Sequence, residues 1–297
     1  MIRCLLVGLI FFISISAVSA QPAPNVVVSI RPIHSIVSAL MEGVSEPRLL
    51  LDSNESAHTF HLKPSQLKLL SNADLLITIG DSFESGLSKV IRNIDQNYRL
   101  NLSEIKELQI YDFRDHNEIE HDEHDEHNKD LHLWLDVGNV QIIAEKIKQK
   151  LIEINPSNKE KYNTNYLELK SKLNQLEEKI QFQLEPIKST PFAIYADILQ
   201  YFEKNFDLNK PVIIAPYHGA RLSINRVIKA KNKMKNQKTR CLIYGSENTS
   251  KQINVLTEGL DIKAHSVDIL GVKLEPGSEQ YFDLMKEISN QLASCLE

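Results

Sequence analysis

The chain has 297 residues, of which 42% are hydrophobic and 25% are charged, and its formal net charge is −5 at pH 7. This length predicts two domains or one large one, and the composition is typical of a globular protein with substantial cores. The net acidity and the lack of an evident basic patch argue against nucleic-acid binding.

The first 20 residues have the pattern of a secretory signal peptide. Arg3 supplies a positive charge, Leu5–Ile15 form an apolar core, and Ala20 ends a cleavage site of small residues. The apolar core is shorter than the about 20 residues that span a bilayer, and no lipid-attachment Cys follows the cleavage site. We therefore expect residues 1–20 to be removed from an exported, soluble protein.

Short apolar runs alternate with helical patterns in the first half of the chain. The predicted strands and helices are, in order, Val26–Ile30, a helix over His34–Glu42, Leu49–Leu51, a helix that begins at Pro64, and Leu75–Ile79. Short apolar strands separated by helices predict a parallel sheet covered on both faces. His58 and His61 follow the second strand, at the edge where open α/β sheets bind ligands. His58 is therefore a candidate metal ligand, and His61 faces either the same site or solvent.

Residues 112–130 are rich in His, Asp and Glu. They contain nine acidic residues against Arg114 and Lys129, a net charge of −7, together with His116, His121, His124 and His127. No hydrophobic periodicity runs from Arg114 to Asp130, which predicts a mobile, solvated loop. Imidazoles mixed with carboxylates bind Zn²⁺, Ni²⁺ or Cu²⁺ weakly, so we expect the loop histidines to contact metal. A charged linker without metal binding is the alternative.

The loop ends at the apolar run Leu131–Asp136, which holds His132 and the only tryptophan, Trp134. A single His beside an apolar patch is often structural, but its place directly after the metal-rich loop makes His132 a candidate ligand.

Two helices are predicted next, Gly138–Ile154 and a longer one from Pro156 to about Glu185. The longer helix has an apolar stripe at helical spacing, formed by Tyr162, Tyr166, Leu169, Leu173, Leu176 and Ile180. Its length of about 45 Å suits a rigid connector. A coiled-coil dimer seam is the alternative.

The second half repeats the α/β pattern, with strands predicted at Phe192–Tyr195, Val212–Ala215, Leu242–Tyr244 and Ala264–Val267. Asp268 ends the last strand. An Asp in that position often forms a turn, but with two candidate histidine ligands it becomes a candidate oxygen donor.

Two cysteines, Cys241 and Cys295, remain once the signal peptide is removed. In an oxidising compartment they favour a disulfide that closes a loop of about 54 residues. Two buried free thiols are the alternative. The sequence has no GxSxG, HExxH or phosphate-loop motif, so we do not expect an enzyme. A secreted metallohydrolase is the alternative, because His and Asp ligands at strand ends would serve one too.

An ordered set of motifs carries a family resemblance. It comprises H-x-x-x-L-x-P-S from His58, an acidic loop ending in H-x-W-L from His132, a long helix, Y-F-E-K at Tyr201–Lys204, and D-x-L-G from Asp268. Together they resemble the ZnuA-type zinc receptors of ABC importers, a branch of the metal receptors with a rigid connecting helix. The resemblance implies two lobes joined by a long rigid helix, each lobe a mostly parallel sheet flanked by helices. It also implies a metal between the lobes, delivery to a membrane permease, residence in the periplasm, and a C-terminal disulfide at the two cysteines.

The chain departs from the family pattern at two positions. Family members place a third His, or a Glu in manganese receptors, where Ala196 stands, and some zinc members have a Glu where Ala57 stands. The ligands that carry over are therefore His58, His132 and Asp268. A fourth ligand would come from Asp197, His218 or a loop imidazole.

We therefore interpret the sequence as a monomeric periplasmic receptor for Zn²⁺. Residues 21–137 would form an N-terminal metal-binding lobe, 138–186 a helical connector and 187–297 a C-terminal lobe. Two nitrogen ligands favour Zn²⁺ over Mn²⁺. A manganese or iron receptor, or a metal buffer or adhesin of the same fold, is the alternative.

Overall fold

The computed structural model describes residues 22–51, 60–91, 94–114, 129–215 and 222–297. Within them the chain forms two four-stranded parallel sheets, with two long helices between the sheets in sequence. The predicted fold class is confirmed. The predicted signal peptide, His58, His218 and the four loop histidines lie outside the described residues.

The first sheet has the strand order β2-β1-β3-β4, and every neighbouring pair is parallel. Its strands are β1 (Val26–Val28), β2 (Arg48–Leu49), β3 (Leu75–Thr78) and β4 (Arg99–Asn101). The helices of this part are α1 (Arg31–Leu40), α2 (Pro64–Ser71) and α3 (Ser88–Ile91). β1 and β3 are buried throughout, as their apolar sequences predict. β4 was not predicted because Arg-Leu-Asn contains no apolar run.

A short antiparallel pair closes the base of the acidic loop. It joins β5 (Tyr111–Asp112) to β6 (Lys129–Asp130), with Tyr111 opposite Asp130. The sequence predicts a solvated segment from 114 to 130, but both of its ends are packed. The side chain of Asp130 is fully buried and that of Arg114 is 14% exposed.

Two helices connect the sheets, α4 (Val137–Ile154) and α5 (Lys159–Leu184). A 3₁₀ turn over Pro156–Asn158 separates them. The 26 residues of α5 span about 39 Å at the usual rise. The buried part of its stripe, Tyr162, Leu169, Leu173, Leu176 and Ile180, packs where α5 meets α1, α4 and a C-terminal helix. This face is therefore used within the chain rather than as a dimer seam.

The second sheet has the strand order β10-β9-β7-β8 and is also parallel. Its strands are β7 (Phe192–Ala196), β8 (Val212–Ala215), β9 (Cys241–Gly245) and β10 (Lys263–Val267), and its helices are α6 (Gln200–Asn205), α7 (Ile224–Asn236) and α8 (Ser250–Thr257). Residues 222–240, which include α7, carry seven Lys and Arg and no Asp or Glu. α7 is therefore a basic helix, which the net negative charge of the chain did not indicate.

The last helix, α9 (Gln280–Leu296), packs against both parts of the chain. It lies against β9 and β10 and also against α1 and α5. The backbone N–H of Tyr281 donates to Ser35 Oγ over 2.9 Å, and its hydroxyl donates to the carbonyl of Trp134 over 2.9 Å. Among the described helices, none has the length and apolar character needed to cross a lipid bilayer.

The predicted disulfide is present and joins Cys241 on β9 to Cys295 on α9 across 54 positions of sequence. Both cysteines are buried. We predict that changing both to Ala lowers the free energy of unfolding by about 4 kcal/mol, because the unfolded chain gains the freedom of the opened loop. Urea denaturation of the oxidised protein and the double variant would measure the difference. Equal midpoints would show that the bridge does not stabilise the fold.

Candidate metal centre

His132 is held by a neighbouring carboxylate. It lies two residues beyond β6 and its side chain is 4% exposed. Its Nδ1–H donates to Asp130 Oδ1 over 2.6 Å, and its backbone N–H donates to the same oxygen over 3.0 Å. A proton fixed on Nδ1 leaves the lone pair on Nε2, the arrangement in which an imidazole binds a metal.

Aromatic rings surround this imidazole. The ring of Phe83 meets it edge-on at a centroid distance of 5.9 Å, and the indole of Trp134 meets it at 5.4 Å. Phe83 and Trp134 also contact each other at 5.4 Å. An apolar shell of this kind limits the access of water to a metal ligand.

Asp268 follows the carboxyl end of β10, and the turn after it orients the carboxylate. Oδ1 accepts from the backbone N–H groups of Leu270 (3.1 Å) and Gly271 (2.9 Å), and Oδ2 accepts from Val272 (2.7 Å). Gly271 has a φ of +64°, and a Cβ there would lie 2.1 Å from Gln280 Nε2. The D-x-L-G motif therefore builds a tight turn whose fourth position has a positive φ and so favours glycine.

Trp134 connects the two candidate ligands, which are far apart in sequence. Its indole Nε1–H donates to the carbonyl oxygen of Ile269, the residue after Asp268, over 2.8 Å. The same indole contacts the ring of His132. The structure therefore brings the neighbourhoods of His132 and Asp268 together through one buried side chain.

The other predicted ligands are placed differently. His61 is exposed, on the segment before α2. Asp197 follows β7 and is fully buried, but its carboxylate is engaged by the guanidinium of Arg114 and accepts the backbone N–H of Arg114 over 3.1 Å. Within the described ranges, no group of three or more His, Cys, Asp or Glu side chains could hold a metal ion. His58, His218, His116, His121, His124 and His127 lie outside those ranges.

The Y-F-E-K motif is explained by contacts to the base of the acidic loop. The Tyr201 hydroxyl donates to the carbonyl of Asp130 over 2.6 Å and accepts the N–H of Tyr111 over 3.1 Å. Glu203 accepts from Arg114 Nη1 over 2.6 Å. Lys204 Nζ lies 3.5 Å from the ring centroid of Tyr111. The first residues of α6 thus hold both strands of the β5–β6 pair.

Glu84 is a buried acid that the sequence did not single out. It lies beyond β3, next to Phe83, and its carboxylate accepts from the backbone N–H groups of Ile79 and Gly80, each over 2.9 Å. The hydroxyl of Ser29, after β1, donates to the same carboxylate. Glu84 therefore ties the ends of two central strands together. Burial raises its pKa from 4.5 to about 7.

The raised pKa of Glu84 predicts a pH-dependent stability. The protonated form is favoured in the folded protein, so this contribution is complete below about pH 4.5 and is lost as the pH rises through about 7. The change would be at most about 3 kcal/mol. We expect Glu84→Gln to remove this part of the slope, because Gln does not titrate. Urea denaturation of the metal-free protein at pH 5 and pH 8 would measure it, and parallel slopes for the two proteins would contradict the prediction.

Comparison with known proteins gives a consistent result. The family model described as "Zinc-uptake complex component A periplasmic" matches residues 26–295. The chain is 30% identical to the "High-affinity zinc uptake system protein ZnuA" of Brucella abortus, over 92% of this chain and 91% of that protein.

Solved structures share the fold. A crystal structure of ZnuA superposes with a TM-score of 0.77 at 19% identity, over 93% of this chain and 100% of that one. The nickel-bound binding protein FpvC of P. aeruginosa superposes with a TM-score of 0.75 at 14% identity, over 92% of this chain and 96% of that one. The same architecture therefore occurs in ZnuA and in a nickel-bound binding protein.

Proposed function

Because this chain belongs to the family of periplasmic zinc-uptake complex components A, we propose that it is a receptor that captures Zn²⁺ between two lobes and delivers it to the permease of an ABC importer. It would be exported by the signal peptide at residues 1–20 and act in the periplasm. The lobes would be residues 21–137 and 187–297, joined by the connector 138–186. Each proposed lobe contains one of the two parallel sheets.

We propose His58, His132 and Asp268 as the protein ligands of the zinc ion. The observation that carries this proposal is the carboxylate-bound imidazole of His132, joined to the Asp268 turn through Trp134. Two nitrogens and one carboxylate suit Zn²⁺ better than Mn²⁺. Binding requires neutral imidazoles, so affinity should fall at acidic pH.

The chain next to His58 supports its place in this set. Phe60, two residues further on, is buried, and a Cβ added to Gly86 would lie 2.2 Å from the carbonyl oxygen of Phe60. Gly86 is three residues beyond Phe83, whose ring contacts His132. The segment that follows His58 is therefore packed against the loop that borders the His132 imidazole.

His218 is the best of the proposed fourth ligands. It follows β8, and β8 is parallel to β7 in the sheet that also contains β10. The carboxyl ends of these strands, where Asp268 also lies, share one edge of the sheet. Asp197 follows β7 at the same edge of the sheet, but its carboxylate is ion-paired with Arg114. His61 is exposed. A bound water would complete the zinc shell if His218 does not.

Zinc titration in a suitable background tests the function. In what we call the loop-silent background, His116, His121, His124 and His127 are changed to Asn, so that the acidic loop loses its imidazoles. We expect one tight Zn²⁺ per metal-free chain in competition with a chelator, Zn²⁺ to displace Mn²⁺, and His58→Ala to weaken binding. The absence of a tight zinc site, or a preference for Mn²⁺, would refute the zinc-receptor assignment.

A further inference from the structure

The hydrogen bonds of Asp130 converge on one imidazole. Asp130 is fully buried at the end of β6, in a stretch whose composition suggests only a solvated acidic run. Its Oδ1 accepts both the ring Nδ1–H and the backbone N–H of His132. Its Oδ2 accepts from Gln200 Nε2 over 3.3 Å. Burying a carboxylate is costly unless hydrogen bonds compensate it, and these donors fix the orientation of Asp130 toward His132.

The position of Asp130 is set by the second half of the chain. Gln200 and Tyr201 are the first two residues of α6, in the part of the fold that carries the second sheet. Gln200 Nε2 also donates to the carbonyl of Asp112 over 2.9 Å, on the strand opposite Asp130. The Tyr201 hydroxyl donates to the carbonyl of Asp130 itself. Side chain and backbone of Asp130 are therefore both held by α6.

We propose that Asp130 is the positioning residue of the metal centre, and that Gln200 and Tyr201 hold it in place across the two halves of the fold. This inference rests on the proposed function, since it needs His132 to be a ligand. The carboxylate keeps the proton on Nδ1, fixes the plane of the ring and strengthens Nε2 as a donor. A ligand that belongs to the first half is thus aligned by residues of the second half.

The alternative is a purely structural role, in which Asp130 only accepts the hydrogen bond from the buried imidazole of His132. Both the positioning role and the structural role predict some loss of stability when Asp130 is changed. The tautomer of His132 depends on the hydrogen bond in both cases, whereas only the positioning role expects the zinc affinity to change in variants that remain folded. Asp130→Asn keeps the size and one acceptor but removes the charge. Gln200→Leu leaves Asp130 intact and removes the contacts to Asp130 Oδ2 and to the Asp112 carbonyl.

The experiment measures zinc affinity by chelator competition and the tautomer of His132 by ¹⁵N NMR, both in the full-length mature loop-silent protein. We expect Asp130→Asn to bind zinc about 10- to 100-fold more weakly, as for other residues that orient metal-bound histidines. Gln200→Leu and Tyr201→Phe should show smaller losses in the same direction. In the metal-free parent, Nδ1 of His132 should carry the proton, and Asp130→Asn should increase the other tautomer. Glu107→Gln, at an exposed carboxylate paired with Lys146, is the matched control and should change neither quantity.

Parent-like zinc affinity in folded Asp130→Asn and Gln200→Leu proteins would overturn the proposal, even if the tautomer of His132 changes. Failure of the proposed function gives a different result, in which the parent itself lacks a tight zinc site. In that case the tautomer of metal-free His132 shows only that Asp130 orients the ring, and the role of Asp130 at a metal centre falls with the proposed function.

Discussion

Changing His132 to Ala in the loop-silent background is expected to weaken zinc binding by about 100-fold or more, equivalent to about 3 kcal/mol. The reason is that His132 is the proposed ligand with the most restrained geometry, since a carboxylate and two aromatic rings hold its imidazole. Chelator competition on the metal-free protein measures the effect. Thermal unfolding without metal would show whether the variant is folded.

His265→Ala provides the matched control. His265 lies on β10, three residues before Asp268, is partly buried, and has its ring Nδ1 3.1 Å from Gln291 Oε1. Its loss removes an imidazole from the same half of the fold as Asp268 and should leave zinc affinity unchanged. Equal affinity of the His132→Ala variant and its parent would remove His132 from the zinc shell.

Changing Arg114 to Met is expected to destabilise the protein by about 3–5 kcal/mol, the usual cost of removing one partner from a buried ion cluster. Arg114 compensates two carboxylates at once, those of Asp197 and Glu203, which are 0% and 3% exposed. Without the guanidinium, both would be buried without a countercharge. Urea denaturation of the metal-free variant and parent would measure the loss.

Two further measurements test whether charge causes the loss of stability in the Arg114→Met protein: its pH dependence and a compensating variant. Burial raises the pKa of Glu203 to about 7 even beside Arg114. The loss should therefore be smaller at pH 5 than at pH 8, because the Glu203 carboxyl can then be protonated. Adding Asp197→Asn and Glu203→Gln to Arg114→Met should restore part of the stability by removing the charges. No recovery would indicate that shape rather than charge holds the cluster.

The two sheets could be predicted because their central strands are short, apolar runs separated by helices. Val26–Val28 and Leu75–Thr78 are buried on both faces, and burial of that kind leaves a continuous apolar signal in the sequence. The β5–β6 pair leaves no such signal. Its strands have two residues each, and contacts to Gln200 and Tyr201, some 70 or more positions away, hold it.

The candidate site was predictable to the level of residue type and strand end. Asp268 follows from its place at the end of a predicted strand and from the family resemblance. His132 follows from its place directly after the metal-rich loop and from the same resemblance. The engagement of Asp197 by Arg114 depends on residues 83 positions apart and could not be read from local sequence. Asp130 had one available signal, its place two residues before His132, but nine acidic residues in the same stretch masked it.

The packing of α9 has a consequence for biogenesis. Ser35 and Tyr281 are 246 positions apart, yet they share a buried hydrogen bond beside α1. The packing around α1 therefore stays incomplete during synthesis until the residues of α9 have also emerged from the ribosome. Contacts this distant in sequence slow folding, and they keep a nascent chain dependent on holding factors for longer. Truncations within the final helix should accordingly be cleared by proteases rather than accumulate as a stable half-molecule.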